Sequence, residues 1–561
     1  MTEPVELAPD YYLTNFFTLV AFVMDRYGTL LSKEESKFYH DFQSLGIDSQ
    51  KLYVRLLSRK GSPSSAGAVF RLSKLKYTEI KDLPSAAEEL QKIGLLHCNP
   101  QIPFEELLPL FTKPELFSAS TSHLPKTLKR TELEAALLEQ AGLEQEGRAD
   151  SGIKAMLSGE TLLAVQYASC FETFKLCFFG NLNQDLTDYV LRDLGFFRYE
   201  NYPLDRQNLP FQSREQLDQH LDYYRSLALA EQALKGDASD ILALVEQLPL
   251  GIRGDVTLHR RLDRLRLKLA RQLERLDQPE AADHLYQTCQ RPPARERRAR
   301  IAVKHGNTQK GLSLCLQILE EPFDEAERNF AESFGHRTAK DLDCAHKWPA
   351  PKRYRPPTEL ITLPEGPERV EIQVASHLEH LSDGSCYYVE NCLLNGILGL
   401  YIWEILFAPV PGAFFNPFQS APSDYRTPDF FLARRSLFEQ RLANLNKEIL
   451  QEKVWRTYRE KRGISNPLVA WDALSEELLT NAIERIPPAH WKACFRRLLS
   501  DIGHNSSGLP DLILFPAAGG YELVEVKGPG DRLQQNQQRW LTFFAGQQIP
   551  HRVIHVEWQL P

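Results

Sequence analysis

The stretch GLPDLILFPAAGGYELVEVKGPGD, residues 508–531, decides the fold at the C-terminal end of this 561-residue chain. DLILF (511–515) and YELVEV (521–526) are short runs of strand-forming residues, separated by the turn-prone PAAGG, so the spacing predicts a tight antiparallel hairpin. Asp511 opens the first strand directly after Pro510, and Glu525 and Lys527 lie on the second. Side chains alternate along a strand, so Glu525 and Lys527 share a face while Val526 points away. Asp511 and Glu525 thereby offer hard oxygen ligands suited to Mg2+ or Mn2+, with the backbone carbonyl of Val526 to complete the protein's share. Lys527 is placed to orient a water and to offset negative charge developing on a phosphate. The bland alternative is a surface hairpin with a Glu–Lys pair.

Working outward, a helix over 531–545 carries Gln537, and HRVIHVEW (551–558) reads as a last strand, which together with the hairpin describes an α/β core. Upstream, helices are expected over about 427–500 and from about Val389 to Phe407. Residues 349–368 (PAPKRYRPPTELITLPEGPE) form a proline-rich joint and mark a domain boundary.

From about 150 to 345 the pattern is almost wholly helical. In Thr257–Asp277, Leu262, Leu265, Leu269 and Leu273 form one stripe, and Arg260, Arg264, Lys268, Arg271 and Arg275 gather on roughly the opposite side. A second basic concentration follows at Arg291, Arg295, Arg297, Arg298, Arg300 and Lys304. Helical pairs with basic outer faces suggest a degenerate solenoid whose surface follows a DNA backbone. A solvated face is the plain alternative.

Residues 11–110 are helical with a turn-prone insert (GSPSSAG, 61–67) and a basic stretch that includes Arg55 and Lys60, which suits a winged-helix DNA-binding module. Residues 112–142 read as two short helices around a turn, with Lys126, Lys129 and Arg130 near the start of the second, a plausible phosphate grip. A helical docking domain and a charged hairpin are the competing readings.

Composition limits the alternatives. The net charge of −8 excludes a uniform basic coat, so nucleic-acid contact must come from local faces. Nine scattered cysteines without a CxxC pair form neither a disulfide scaffold nor a zinc framework, and Cys344 with His346 lacks a second pair nearby. The apolar run Phe16–Met24 is too short to span a bilayer and lacks signal-peptide flanks. No membrane partner is expected, and the chain is placed in the cytoplasm, nucleoid-associated if bacterial.

The hairpin has the layout of a PD-(D/E)xK nuclease site. VEVKGPGDRLQQNQQRWL (524–541) with GLPDLILF (508–515) resembles the VRR-NUC domain, and the rest of the chain resembles the Fanconi-associated nuclease family. KLYVRLLSRK (51–60), KLKYTEI (74–80) and AAEELQKIGLL (86–96) are similar to that family's N-terminal DNA-binding domain. KPELFSAS (113–120) with LKRTELEAALL (128–138) resembles its SAP module, and FFGNLNQDLTDYVLRDLGFFRYENY (178–202) the entry to its helical repeats.

The resemblance implies a multidomain, mostly α protein. Its parts are a winged-helix-like domain over 1–110, a SAP-like module over 111–143, TPR-like repeats over 144–350 and an α/β PD-(D/E)xK nuclease domain over 351–561. It also implies a 5′-flap endonuclease with 5′-to-3′ exonuclease activity, acting on branched DNA in interstrand-crosslink repair. VENCLLNGILGLYIWEILF (389–407) matches the segment where the family carries a further acidic residue, which makes Glu390 a ligand for a second metal. Glu404 competes for that role and is expected instead to face solvent or meet an arginine.

Two departures stand out. No CxxC pair is present to build the ubiquitin-binding zinc finger of animal members, so the layout resembles the short bacterial type. Asn536 stands where some members have a lysine, which puts one form of 5′-phosphate pocket in doubt and leaves Arg532 available. A junction resolvase and a non-catalytic branched-DNA scaffold remain the rival functions.

Overall fold

The computed structural model describes residues 8–59, 61–119, 124–144, 160–184, 198–340, 342, 344–351 and 354–559. Lys60 and residues 185–197 of the FFGNLN stretch lie outside them. The chain divides into two compact units, Met1–Phe196 with Gln212–Leu217, and Phe197–Phe211 with Asp218–Pro561.

In the first unit the helices Tyr11–Tyr27, Lys33–Gln43, Ile47–Leu57 and Ala168–Phe179 share an aromatic core. Phe16 lies 4.6 Å from Phe42 and 5.1 Å from Phe171 by ring centroids. The second helix starts on a capping box: Ser32 Oγ accepts from Glu35 N, and the Glu35 carboxylate accepts from Ser32 N. Strands β1 (Ser62–Ser64), β2 (Gly67–Arg71), β3 (Leu96–Cys98) and β4 (Leu162–Val165) form an antiparallel sheet in the order β1-β2-β4-β3. The GSPSSAG insert supplies the β1–β2 hairpin, closing with Gly67 at φ +98°.

Here the structure corrects the sequence boundaries. β4 belongs to the stretch assigned to helical repeats, yet it pairs with both β2 and β3. The SAP-like helices Lys113–Ala119 and Arg130–Glu144, which close on Leu116, Leu133 and Leu137, are therefore inserted between two strands of one sheet. Boundaries at 110 and 143 cut through this unit.

In the second unit, helices Val256–Arg275, Pro279–Gln287, Ala294–Lys304, Thr308–Glu320 and Glu325–Ala339 pack each against the next, as solenoid helices do. Leu262, Leu265, Leu269 and Leu273 are all buried in the core between them, so the leucine stripe does what its spacing predicts.

The nuclease-like part is built on a mixed five-stranded sheet, order β5-β9-β8-β7-β6, from β5 (Thr358–Leu363), β6 (Ser385–Tyr388), β7 (Leu512–Phe515), β8 (Glu522–Lys527) and β9 (His551–Trp558). β7 is antiparallel to β6 and β8, whereas β9 runs parallel to β8 and β5. Leu512, Leu514, Val524, Val526, Ile554 and Val556 face the helix Val370–Ser382. Ile513, Phe515, Leu523 and Val553 face a larger core that includes the helices Leu393–Tyr401, Pro488–Ser500 and Gln535–Gly546. The proline-rich joint is thus not only a linker, since it contains edge strand β5. No helix among the described residues is long and apolar enough to cross a membrane.

Candidate active site

β8 is a central strand, so both its faces are covered, and its alternation sends Val524 and Val526 to one core and Glu525 and Lys527 to the other side. The β7–β8 register pairs Leu512 with Val524, and its continuation sets Asp511 opposite Glu525. The turn between the strands contains Gly519 at φ +100° and Gly520 at φ +74°, conformations that side chains disfavour. Two carboxylates and one lysine thus meet on one face of a rigid sheet.

All three are buried: Asp511 is 7% exposed, Glu525 1% and Lys527 7%. Asp511 Oδ2 accepts from Val526 N at 2.8 Å. Lys527 Nζ lies 2.7 Å from Glu525 Oε1. Burial, opposed by the Val526 amide and Lys527, pushes the Asp511 carboxyl up to about 6. Burial and then the neighbouring Asp511 charge push Glu525 up to about 8, against the pull of Lys527. Glu390 acts in the same direction on both.

Two buried carboxylates beside one lysine, with the charge of Glu390 added, fit a divalent cation, which would take the place of protons on these groups. Asp511, Glu525 and Glu390 are all hard oxygen donors, and no His or Cys competes for that role on the hairpin.

Glu390 is exposed and stands in the turn between β6 and the helix Leu393–Tyr401. The expected helix from Val389 to Phe407 is therefore shorter at its start, and it breaks at Ile402 before a brief turn of helix, Trp403–Leu406. The Tyr388 hydroxyl donates to Glu390 Oε2, and Asn391 Nδ2 to its Oε1 at 3.3 Å. Val389 N donates to the Asp511 carbonyl at 2.7 Å, which ties the turn to the start of β7. Glu404 is occupied elsewhere, at 2.7 Å from Arg441 and 3.2 Å from Arg456.

Glu371 was missed by the sequence reading. It sits in the first turn of Val370–Ser382, and its charge acts on both Asp511 and Tyr388. No motif spacing marks it, because it reaches the site only through the packing of that helix on the sheet.

Gln537 serves a local purpose: its Oε1 accepts from Gln534 N at 2.8 Å and caps the helix Gln535–Gly546. Asn536 lies against Gly508, where a β-carbon would fall 2.8 Å from the asparagine Cγ, so it packs on the loop that leads into Asp511. Arg532 is exposed in the loop after β8.

The basic residues divide sharply. Arg55 bonds Glu79 at 2.9 and 2.6 Å and covers the Tyr12 ring. Arg130 bonds Glu134 and the carbonyls of Phe111 and Leu108, bracing the inserted helices. In the second concentration Arg297 pairs with Glu274, Arg298 with Asp283 at 2.9 Å, and Arg300 with Glu296 at 3.0 Å. These five guanidinium groups are engaged by carboxylates or carbonyls of the protein itself. Lys126, Lys129, Arg264 and Lys268 are exposed, and none has an ion-pair partner among the described residues. Arg271 is exposed too, with Glu274 at 3.2 Å.

Comparison with known proteins bears on both ends of the chain. The VRR-NUC domain model matches residues 445–558, which include Asp511, Glu525 and Lys527, and the FAN1 HTH domain model matches residues 10–97. The Fanconi-associated nuclease 1 homolog of Pseudomonas aeruginosa is 34% identical over 100% of this chain and 98% of its own length. Human Fanconi-associated nuclease 1 is 26% identical over 97% of this chain, which spans 62% of the human protein. A crystal structure of paFAN1 bound to DNA with a two-nucleotide 5′ flap and a gap superposes with a TM-score of 0.82 at 34% identity, covering 100% of both chains. With the metal-ready hairpin inside one matched domain, and a relative aligned from end to end, the chain belongs to the Fanconi-associated nuclease family.

Proposed function

We propose that this nuclease cuts branched DNA as a 5′-flap endonuclease, degrades DNA 5′ to 3′, and acts in interstrand-crosslink repair. The observation that carries the reading is the buried Asp511–Glu525–Lys527 cluster, two carboxylates beside one lysine. Its end-to-end likeness to a protein crystallised on 5′-flap DNA supports the substrate class.

Asp511, Glu525, the Val526 carbonyl and Glu390 would hold one or two Mg2+ or Mn2+ ions. Such ions polarise a phosphate and supply hydroxide near neutral pH. Lys527 orients the attacking water and offsets charge on the phosphate oxygens as the water oxygen bonds to phosphorus and the bond from phosphorus to the leaving sugar oxygen breaks. Val526 N holds Asp511 Oδ2 and so fixes which oxygen remains open to a ligand. Burial of the cluster strengthens each of these interactions.

DNA backbone contact is assigned to the exposed cations Arg264, Lys268 and Arg271, to Lys126 and Lys129, and to Arg532 near the site. The four parts bounded at 110, 143 and 350 are read as functional modules.

End-labelled 5′-flap, 3′-flap, fork and four-way substrates, each with Mg2+, Mn2+ or EDTA, test this function. Cutting of the 5′ flap in preference to the others, abolished by EDTA, is expected. Symmetric cutting of the four-way substrate in preference would identify a junction resolvase, and binding without cutting a scaffold.

A further inference from the structure

The helix Leu393–Tyr401 is buried along its whole length, and apart from the Tyr401 hydroxyl its one polar side chain is Asn395, 5% exposed. Asn395 Nδ2 donates to two backbone carbonyls, Asn391 O and Ser506 O, each at 2.8 Å. Both neighbours are acceptors, so the amide can face them only through its nitrogen. Its Oδ1 is then left buried without a hydrogen-bond partner. An unsatisfied buried acceptor is costly, and here it accompanies an amide whose nitrogen holds two backbone carbonyls.

Its two bonds join separate segments that each lead to a carboxylate of the site. Asn391 lies beside Glu390, and Ser506 lies in the loop that runs into Asp511. Asn391 itself adopts φ +53°, accepts from Leu509 N at 3.1 Å through Oδ1, and donates to Glu390 Oε1. Val389 N to Asp511 O adds a further bond between the same two segments. The helix behind them is firmly seated: β-carbons at Gly396 and Gly399 would fall 2.6 Å from Leu474 and 2.7 Å from Val469.

We propose that Asn395, through Asn391, is a positioning residue that locks the Glu390 turn to the Asp511 strand, so that both carboxylates are preset for a divalent cation. This rests on the reading of Glu390 and Asp511 as metal ligands. Residues behind a metal ligand fix its direction, and their loss typically lowers affinity or activity by about 10–100-fold.

The test titrates Mn2+ into the full-length protein by calorimetry, with melting in EDTA followed alongside. Asn395→Leu should still melt cooperatively in EDTA, yet bind Mn2+ about 10-fold or more weakly. Combined with Glu390→Gln, it should weaken Mn2+ binding by less than the two separate losses added together, because the lock and Glu390 act in part through one ligand. Asn391→Gly, which tolerates the positive φ, should reproduce the weakening and serves if Asn395→Leu fails to fold. Wild-type Mn2+ affinity in Asn395→Leu, or in Asn391→Gly, beside a weakened Glu390→Gln would overturn the positioning role. A fully additive loss in the double variant would do the same. Wild-type affinity in Glu390→Gln would instead remove Glu390 as a ligand, and the inference with it.

Discussion

Glu525 sits on a central strand with its carboxyl closed off from water, and that burial makes its charge depend on a partner. One lysine does not balance Asp511 and Glu525 together, so metal-free protein holds both well above the usual carboxylate range. Mn2+ binding to the folded chain alone should therefore raise its melting temperature, by an amount that grows with ion concentration. Glu525→Gln should abolish most of that rise. An equal rise in the variant would place the ion elsewhere. For chemistry, Asp511→Asn, Glu525→Gln and Lys527→Ala should each slow single-turnover cleavage by at least about 100-fold, because each removes charge stabilisation from the transition state. Binding to flap DNA in Ca2+ should stay within about 3-fold, since affinity comes from phosphate contacts remote from the site. Near-normal cleavage by any of the three removes that residue from the mechanism.

At the scale of single elements, legibility in the sequence followed the range of the interactions. β7, β8 and β9 were readable because each is a compact apolar run with its own turn signals, and β9 occupies the expected residues 551–558. β5 was hidden in a proline-rich joint because its partner β9 lies nearly the whole nuclease-like part away along the chain. β4 and β6 are four-residue strands whose pairing is likewise non-local. The leucine stripe in Val256–Arg275 was legible from its period, but the fate of nearby arginines was not. Arg297 and Arg298 find Glu274 and Asp283 on neighbouring helices, which spacing within one helix does not reveal.

Two predictions belong to this helix. Reversal of Arg264, Lys268 and Arg271 to Glu should weaken flap binding and make its salt dependence shallower by about two counterions. An unchanged salt slope in the folded variant would mark a solvated face. At the helix start, His220 donates from Nε2 to Asp255 Oδ2 at 3.0 Å and accepts at Nδ1 from Arg261 at 2.8 Å. Asp255 in turn caps the helix through Leu258 N. Burial above all, with Arg261 assisting and Asp255 opposing, holds the His220 pKa below its ordinary value. The neutral ring is thus the folded form, and its contribution is full above the unfolded value of about 6.5 and lost as pH falls below it. Urea midpoints should therefore fall more steeply between pH 7 and 5 in wild type than in His220→Gln. Parallel pH profiles would contradict this.

Across the whole molecule, the sequence resolved the order of modules better than their limits. The winged-helix-like part, the inserted helices, the solenoid and the nuclease-like sheet occur in the expected order. The sheet that includes β4, however, closes around the insertion, so the first compact unit reaches past residue 143. Such closure depends on pairing between segments about 90 residues apart, which local patterns do not encode. The candidate site shows the same division. Asp511, Glu525 and Lys527 were legible as a motif, whereas Glu371 and Asn395 act through packing. The central claim is that this cluster cuts flapped DNA with a bound divalent cation. Its most direct test is single-turnover cleavage of an end-labelled 5′-flap duplex by metal-stripped wild-type chain, with Mg2+ or Mn2+ added back, beside Glu525→Gln. Cleavage near the flap that returns with either ion, and stays at least about 100-fold slower in Glu525→Gln, is the expected result. Equal cleavage by the two proteins, or restoration by Zn2+ but by neither Mg2+ nor Mn2+, would contradict it.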